Sequence, residues 1–131
     1  MTTNPHVADV KQLINDLIQA GTSFDIGALE RIYHNDLQVI MLDPSGATSI
    51  ADKAMFKGLF QSKRDNKEPA LNTWAEFHRI DADDKNAHVL ISRKVKLMAE
   101  EQKITLSIDL VKENNAWQVM REVIFVHAED K

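Results

Sequence analysis

Trp117-Gln-Val-Met-Arg-Glu-Val-Ile-Phe-Val-His127 is the stretch whose reading decides the fold. Trp117, Val119, Val123 and Phe125 recur at every second position, the alternation of a strand that presses one face onto a core. Arg121 falls on that same face, with apolar neighbours two positions away on each side. Upstream, period-two patterns over residues 71–82, 87–99 and 102–112 predict three more long strands leading into this one. Their connections are short and polar: Asp83-Asp84-Lys85-Asn86, Glu100-Glu101 and Glu113-Asn114-Asn115. Loops this short make antiparallel neighbours.

Before residue 70 the period is helical. Asn4-Pro5 opens a first helix as N-cap and first helical residue, and Val10, Leu13, Ile14, Leu17 and Ile18 form its apolar stripe up to a stop at Gly21. Asp25 caps a short second helix reaching about Tyr33, with Phe24 and Leu29 at the spacing of a hydrophobic staple. Residues 37–42 read as a brief strand, ended by the turn Asp43-Pro44-Ser45-Gly46. Ser49 and Asp52 have capping-box spacing ahead of a third helix over about 51–63, which presents Met55, Phe56, Leu59 and Phe60. The polar stretch 61–69 is a connecting loop.

Composition narrows the function classes. The 131 residues, 44% hydrophobic and 27% charged, predict one soluble domain spanning 1–131. A net charge of −4 argues against a nucleic-acid partner. Without cysteine there is neither a disulfide framework nor thiolate chemistry. The opening Met-Thr-Thr-Asn-Pro-His lacks the basic start and apolar run of a signal peptide, and no apolar run approaches a membrane span, so the expected location is cytoplasmic. His6, His34, His78, His88 and His127 show no ligand spacing, so neither a metal nor a cofactor is expected.

The hairpins suggest a register. A two-residue turn at Asn114-Asn115 pairs Ile108 with Arg121 and Leu106 with Val123, and a turn at Glu100-Glu101 pairs Arg93 with Ile108 and Val95 with Leu106. A turn at Asp84-Lys85 sets Glu76 opposite Arg93, with Trp74 and His78 on the same face; a turn one residue longer brings in Ala75 and Phe77 and expels Glu76. The first choice draws a polar row, Glu76–Arg93–Ile108–Arg121, across an apolar inner face. Burying a guanidinium without a partner costs several kcal/mol. Either the arginines are neutralised structurally, or the row lines a pocket for a ligand bearing a carboxylate, phosphate or enolate-like oxygen. On the outer face, Leu90, Met98, Val111, Met120, Ile124 and Val126 lie among Lys94, Lys96, Asp109 and Glu122. These are too many apolar groups for a face that meets only water, which predicts a homodimer through the outer sheet face.

Two helices, a short strand, a third helix and four long strands ending in Trp117-Gln-Val-Met-Arg121 resemble the nuclear transport factor 2-like superfamily. Phe24-Asp25-Ile26-Gly27-Ala28-Leu29 with Tyr33, the Leu42-Asp43-Pro44 turn and helix 51–63 carry the same resemblance, which spans nearly the whole chain. It implies an α+β, cystatin-like cone, three N-terminal helices packed on a curved, mainly antiparallel sheet around a mostly apolar pocket, and commonly a dimer through the sheets. Ketosteroid isomerases, SnoaL-like cyclases and scytalone dehydratase share this fold with binding and association domains, so it does not name a reaction. Asp43-Pro44-Ser45-Gly46 is similar to the turn bearing the catalytic aspartate of ketosteroid isomerases, although the first helix lacks their tyrosine.

The sequence reading is therefore a small-molecule-binding domain with an apolar pocket holding Arg, Glu and His groups, of the kind used by isomerases, cyclases and dehydratases that transfer protons. Arg93, Arg121, Glu76, Trp74, Tyr33, Met41 and Met55 are the candidate ligand-binding residues, and Asp43 and His78 the candidate acid–base groups. The expected ligand is anionic or carbonyl-bearing. The rival reading is a non-catalytic dimerisation or association domain whose polar row is an internal salt-bridge network.

Overall fold

A computed structural model describes residues 5–96 and 101–127. Helix α1 (Pro5–Thr22) and helix α2 (Ile26–Ile32) lead into strands β1 (Tyr33–Leu42) and β2 (Thr48–Asp52). Helix α3 (Lys53–Asp65) follows, then β3 (Ala75–Ala82), β4 (Asn86–Val95), β5 (Gln102–Glu113) and β6 (Ala116–Val126). The six strands form one sheet in the order β2-β1-β6-β5-β4-β3, antiparallel except where β1 runs parallel to β6. Among the described residues two helices precede the sheet, so the expectation of three N-terminal helices is corrected: the third follows the β1–β2 hairpin. Thr48–Asp52 carries too few apolar residues to announce itself as a strand. Its last residue, rather than Ser49, caps α3, the Asp52 side chain accepting from the Met55 amide at 2.9 Å.

Local chemistry explains the other elements. Asp25 caps α2 by accepting from the Ala28 amide at 3.1 Å. Asn114 and Asn115 adopt φ of 52° and 62°, the left-handed pair that a two-residue hairpin turn requires and that asparagine tolerates. The apolar stripe of α1, with Val10, Ile14, Leu17 and Ile18 buried, packs over the inner face of the sheet. The Asn4 cap and Met98 lie outside the described residues.

The register differs from expectation in three places. In β6, Asp109 pairs with Arg121 but Leu110 pairs with Val119, so Met120 is an extra residue, a β-bulge. Beyond it the faces exchange: Glu122, Ile124 and Val126 turn inward while Arg121, Val123 and Phe125 turn out. Ile108 therefore faces Glu122, and Leu106 faces Ile124. In β3 the predicted turn holds, Ala82 pairing with Ala87, but a second bulge at His78 turns Phe77 and Ala75 inward and expels Glu76. Between β4 and β5 the register is shifted by four residues, and Arg93 pairs with Ile104 rather than Ile108.

The β6 bulge has a physical reason. Residues 123–126 are apolar at every position, so alternation alone cannot choose a face, and either Arg121 or Glu122 must go in. A guanidinium cannot shed its charge, whereas a carboxyl can be buried as the neutral acid. The chain buries the acid.

Candidate functional site

Helices α1 and α3 and the inner face of β4, β5 and β6 enclose a cavity of about 70 Å³. Its walls are apolar, with Ile14, Phe60, Leu106 and Ile108 among them, and its polar groups include Tyr33, Arg93 and Glu122. Tyr33 is delivered by the C-cap of α2 at the start of β1, where it is 2% exposed and its ring meets Phe56 edge-on at 5.7 Å. Glu122 is delivered by the bulge and is also 2% exposed. The Tyr33 hydroxyl donates to the Glu122 carboxyl, and Glu122 Oε2 has no hydrogen-bond partner among the described residues.

These groups tune one another. Burial pushes the Glu122 carboxyl up to about 7, against the Tyr33 hydrogen bond and the Arg93 charge, which pull it down. Burial, reinforced by Glu122, drives the Tyr33 phenol well above its ordinary range, so it stays a donor. Arg93 is half-buried, and burial lowers its affinity for its proton, opposed by Glu122 and Tyr33. Its Nε donates to the Trp74 carbonyl at 2.9 Å and its Nη2 to the Asn72 carbonyl at 2.8 Å. Two of the five guanidinium N–H groups are thus held by backbone, and among the described residues no carboxylate lies within ion-pair distance of Arg93.

Of the residues singled out in the sequence, the structure brings Tyr33 and Arg93 together at this cavity. The placement of the others is corrected. Arg121 is exposed on the outer face because of the Met120 bulge. Glu76 and His78 lie outward because of the His78 bulge, their side chains 3.8 Å apart. His78 instead begins a hydrogen-bonded row on the outer face, Nε2 to Ser92 Oγ at 2.7 Å, Ser92 to Thr105 at 3.1 Å and Thr105 to His127 at 2.7 Å. Trp74 is exposed beneath the Lys94 ammonium, Met55 is exposed on α3, and Met41 packs on the core away from the cavity. Asp43 holds its own turn: the carboxylate accepts from the Ser45 hydroxyl at 2.6 Å and the Ala47 amide at 2.9 Å, and these bonds, the Ser45 hydroxyl foremost, lower its pKa. That environment opposes a role as a base. Glu122, expected on the outer face, is the site residue that the alternation of the sequence missed.

The burial of Glu122 gives a pH-dependent stability. Its proton is released near 4.5 in the unfolded chain and near 7 in the folded one, so its contribution is complete below the first value and lost as pH rises through the second. The difference amounts to about 3 kcal/mol. Urea unfolding of the wild type should therefore lose about that much stability between about pH 4.5 and pH 8, relative to Glu122→Gln, which lacks this proton. Parallel profiles for the two proteins would contradict the assignment.

No protein-family model matches the chain, and no curated protein matches it in sequence. Its fold does match solved structures. An NTF2-like protein of unknown function from Silicibacter pomeroyi superposes with a TM-score of 0.78 at 16% identity, over 97% of this chain and 100% of that one. A ketosteroid isomerase-like protein from Erwinia carotovora atroseptica gives a TM-score of 0.67 at 14% identity, covering 97% and 100%. An NTF2-like protein of unknown function in nutrient uptake from Rhodospirillum rubrum gives 0.68 at 13% identity, covering 92% and 99%. At these identities the likeness concerns architecture: the chain has the α+β fold of the nuclear transport factor 2-like proteins, with a mixed sheet under its helices.

Proposed function

We propose that this chain is a small-molecule-binding domain in which Glu122 donates its proton to an oxygen of the ligand. The observation that carries this reading is Glu122 Oε2, buried against an apolar cavity without a partner. An unsatisfied buried polar atom costs about 1–3 kcal/mol, a cost that a ligand oxygen sharing the carboxyl proton would remove. A carboxyl near 7 also has the acidity that general acid catalysis needs at neutral pH. Tyr33 holds the other oxygen of that carboxyl, and Arg93 places a positive charge on the same cavity. The chemistry that suits this set is enolisation of a carbonyl: Glu122 gives its proton to the oxygen while water takes the proton from the neighbouring carbon, and solvent then reprotonates Glu122.

Exchange of the α-protons of 2-butanone in deuterated water tests the catalytic half. The wild type should exceed Glu122→Gln by about 10²-fold, and its rate should fall as pH rises through about 7, where the acid is lost. Equal rates in the two proteins would leave a binding domain without this chemistry.

A second copy of the chain is the partner proposed for the outer face. Ile50 is 61% and Phe125 41% exposed there, and register places them beside Ile40, Val123 and Leu42 across β2, β1 and β6. Contiguous apolar surface of this kind is a common mark of association. Sedimentation should show a dimer that Phe125→Glu converts to a folded monomer; a monomeric wild type would remove this proposal.

A further inference from the structure

The inner-face register arranges the cavity's polar groups by row. Ala75, Arg93, Ile104 and Val126 form one cross-strand row; Ile80, Val89, Ile108 and Glu122 form another. Between them runs a row that is apolar throughout, Phe77, Ile91, Leu106 and Ile124. Two residues of strand separate successive rows, about 7 Å, so the backbones of Arg93 and Glu122 differ by about 13 Å along the strands. Their side chains converge on the same cavity, but from opposite ends of its floor. One end offers a guanidinium with N–H groups left over after its two backbone bonds, at a half-buried position near solvent. The other offers the unpartnered carboxyl oxygen of Glu122, buried beside the Tyr33 hydroxyl that holds its carboxyl.

We infer that the cavity takes a short oxo- or hydroxy-carboxylate, its carboxylate on Arg93 and its second oxygen on Glu122, with the apolar row under the carbons between. The inference rests on the reading that Glu122 donates a proton to the ligand. Each end meets a need that the protein leaves open. The carboxylate supplies the anion that Arg93 lacks among the described residues, in the geometry a guanidinium recognises best. The carbonyl or hydroxyl oxygen accepts the proton of Glu122. Size favours a small ligand: about 70 Å³ is less than half of the roughly 150 Å³ apolar cavity that takes benzene, so a short chain with its carboxylate outside at Arg93 suits this space better than a ring system.

Three probes separate the two ends: 4-oxopentanoate carries both oxygens, pentanoate only the carboxylate and 2-pentanone only the carbonyl. Titration followed by the methyl resonances of Leu106, Ile108 and Ile124 should show the oxo acid binding at least about tenfold tighter than either single-ended probe. Its Kd should be flat below about pH 7 and rise about tenfold per pH unit above, as the Glu122 proton must be taken up. Arg93→Met should reduce its affinity to that of the ketone. Should that variant fail to fold, the comparison of the three probes on the wild type decides alone. A ketone that binds as tightly as the oxo acid would overturn the carboxylate end while leaving the proton-donating cavity in place. Pentanoate equal to the oxo acid would overturn the carbonyl end. If none of the three perturbs the cavity methyls at about 10 mM, both this inference and the reading beneath it fail.

Discussion

The structure turns on one carboxyl group buried in an apolar sheet. Glu122 reaches the inner face only because β6 carries an extra residue at Met120, and it can stay there because it keeps its proton up to about pH 7. A buried carboxylate would cost several kcal/mol in desolvation. The neutral acid needs only hydrogen bonds, and Tyr33 supplies one. The other oxygen has none. Folding thus leaves a strong donor or acceptor aimed at a small apolar space, which is a useful arrangement for a ligand and a costly one without.

The surrounding architecture serves this point. The short helix α2 ends where Tyr33 begins β1, so the phenol is fixed by a helix cap and by the parallel pairing of β1 with β6, Tyr33 opposite Val119. Phe56 and Phe60 on α3 stack edge-on behind it, and Ile14 and Ile18 of α1 close the roof. Arg93 is aimed by the carbonyls of Asn72 and Trp74 in the segment before β3. A mixed sheet that bends around its helices thereby collects groups from distant parts of the chain on one concave face.

Much of this was legible in the sequence. The four long strands, the Asp25 cap, the Asn114-Asn115 turn and the apolar stripe of α1 each have a local cause, and each stands as expected in kind. Tyr33 and Arg93 were legible as inward-facing polar groups in apolar company. The two bulges were not. At Met120 the following residues are apolar on both parities, and the choice between burying Arg121 and Glu122 depends on which charge can be discharged, a property of the finished interior. At His78 the hairpin turn is as predicted, and the slip arises five residues further along, where the packing of Phe77 and Ala75 decides it. The β2 strand gave too weak a pattern, existing because β1 offers an edge to pair with.

The most direct measurement is the ionisation of Glu122 itself, followed by carbon-13 NMR of its side-chain carboxyl through a pH titration. A midpoint near 7 is predicted, moving upward in Tyr33→Phe because the hydrogen bond that lowers it is gone. A midpoint in the ordinary glutamate range, about 4.3, would contradict the account. It would mean that the carboxyl is solvated, that the bulge does not turn it inward, and that the cavity lacks its acid.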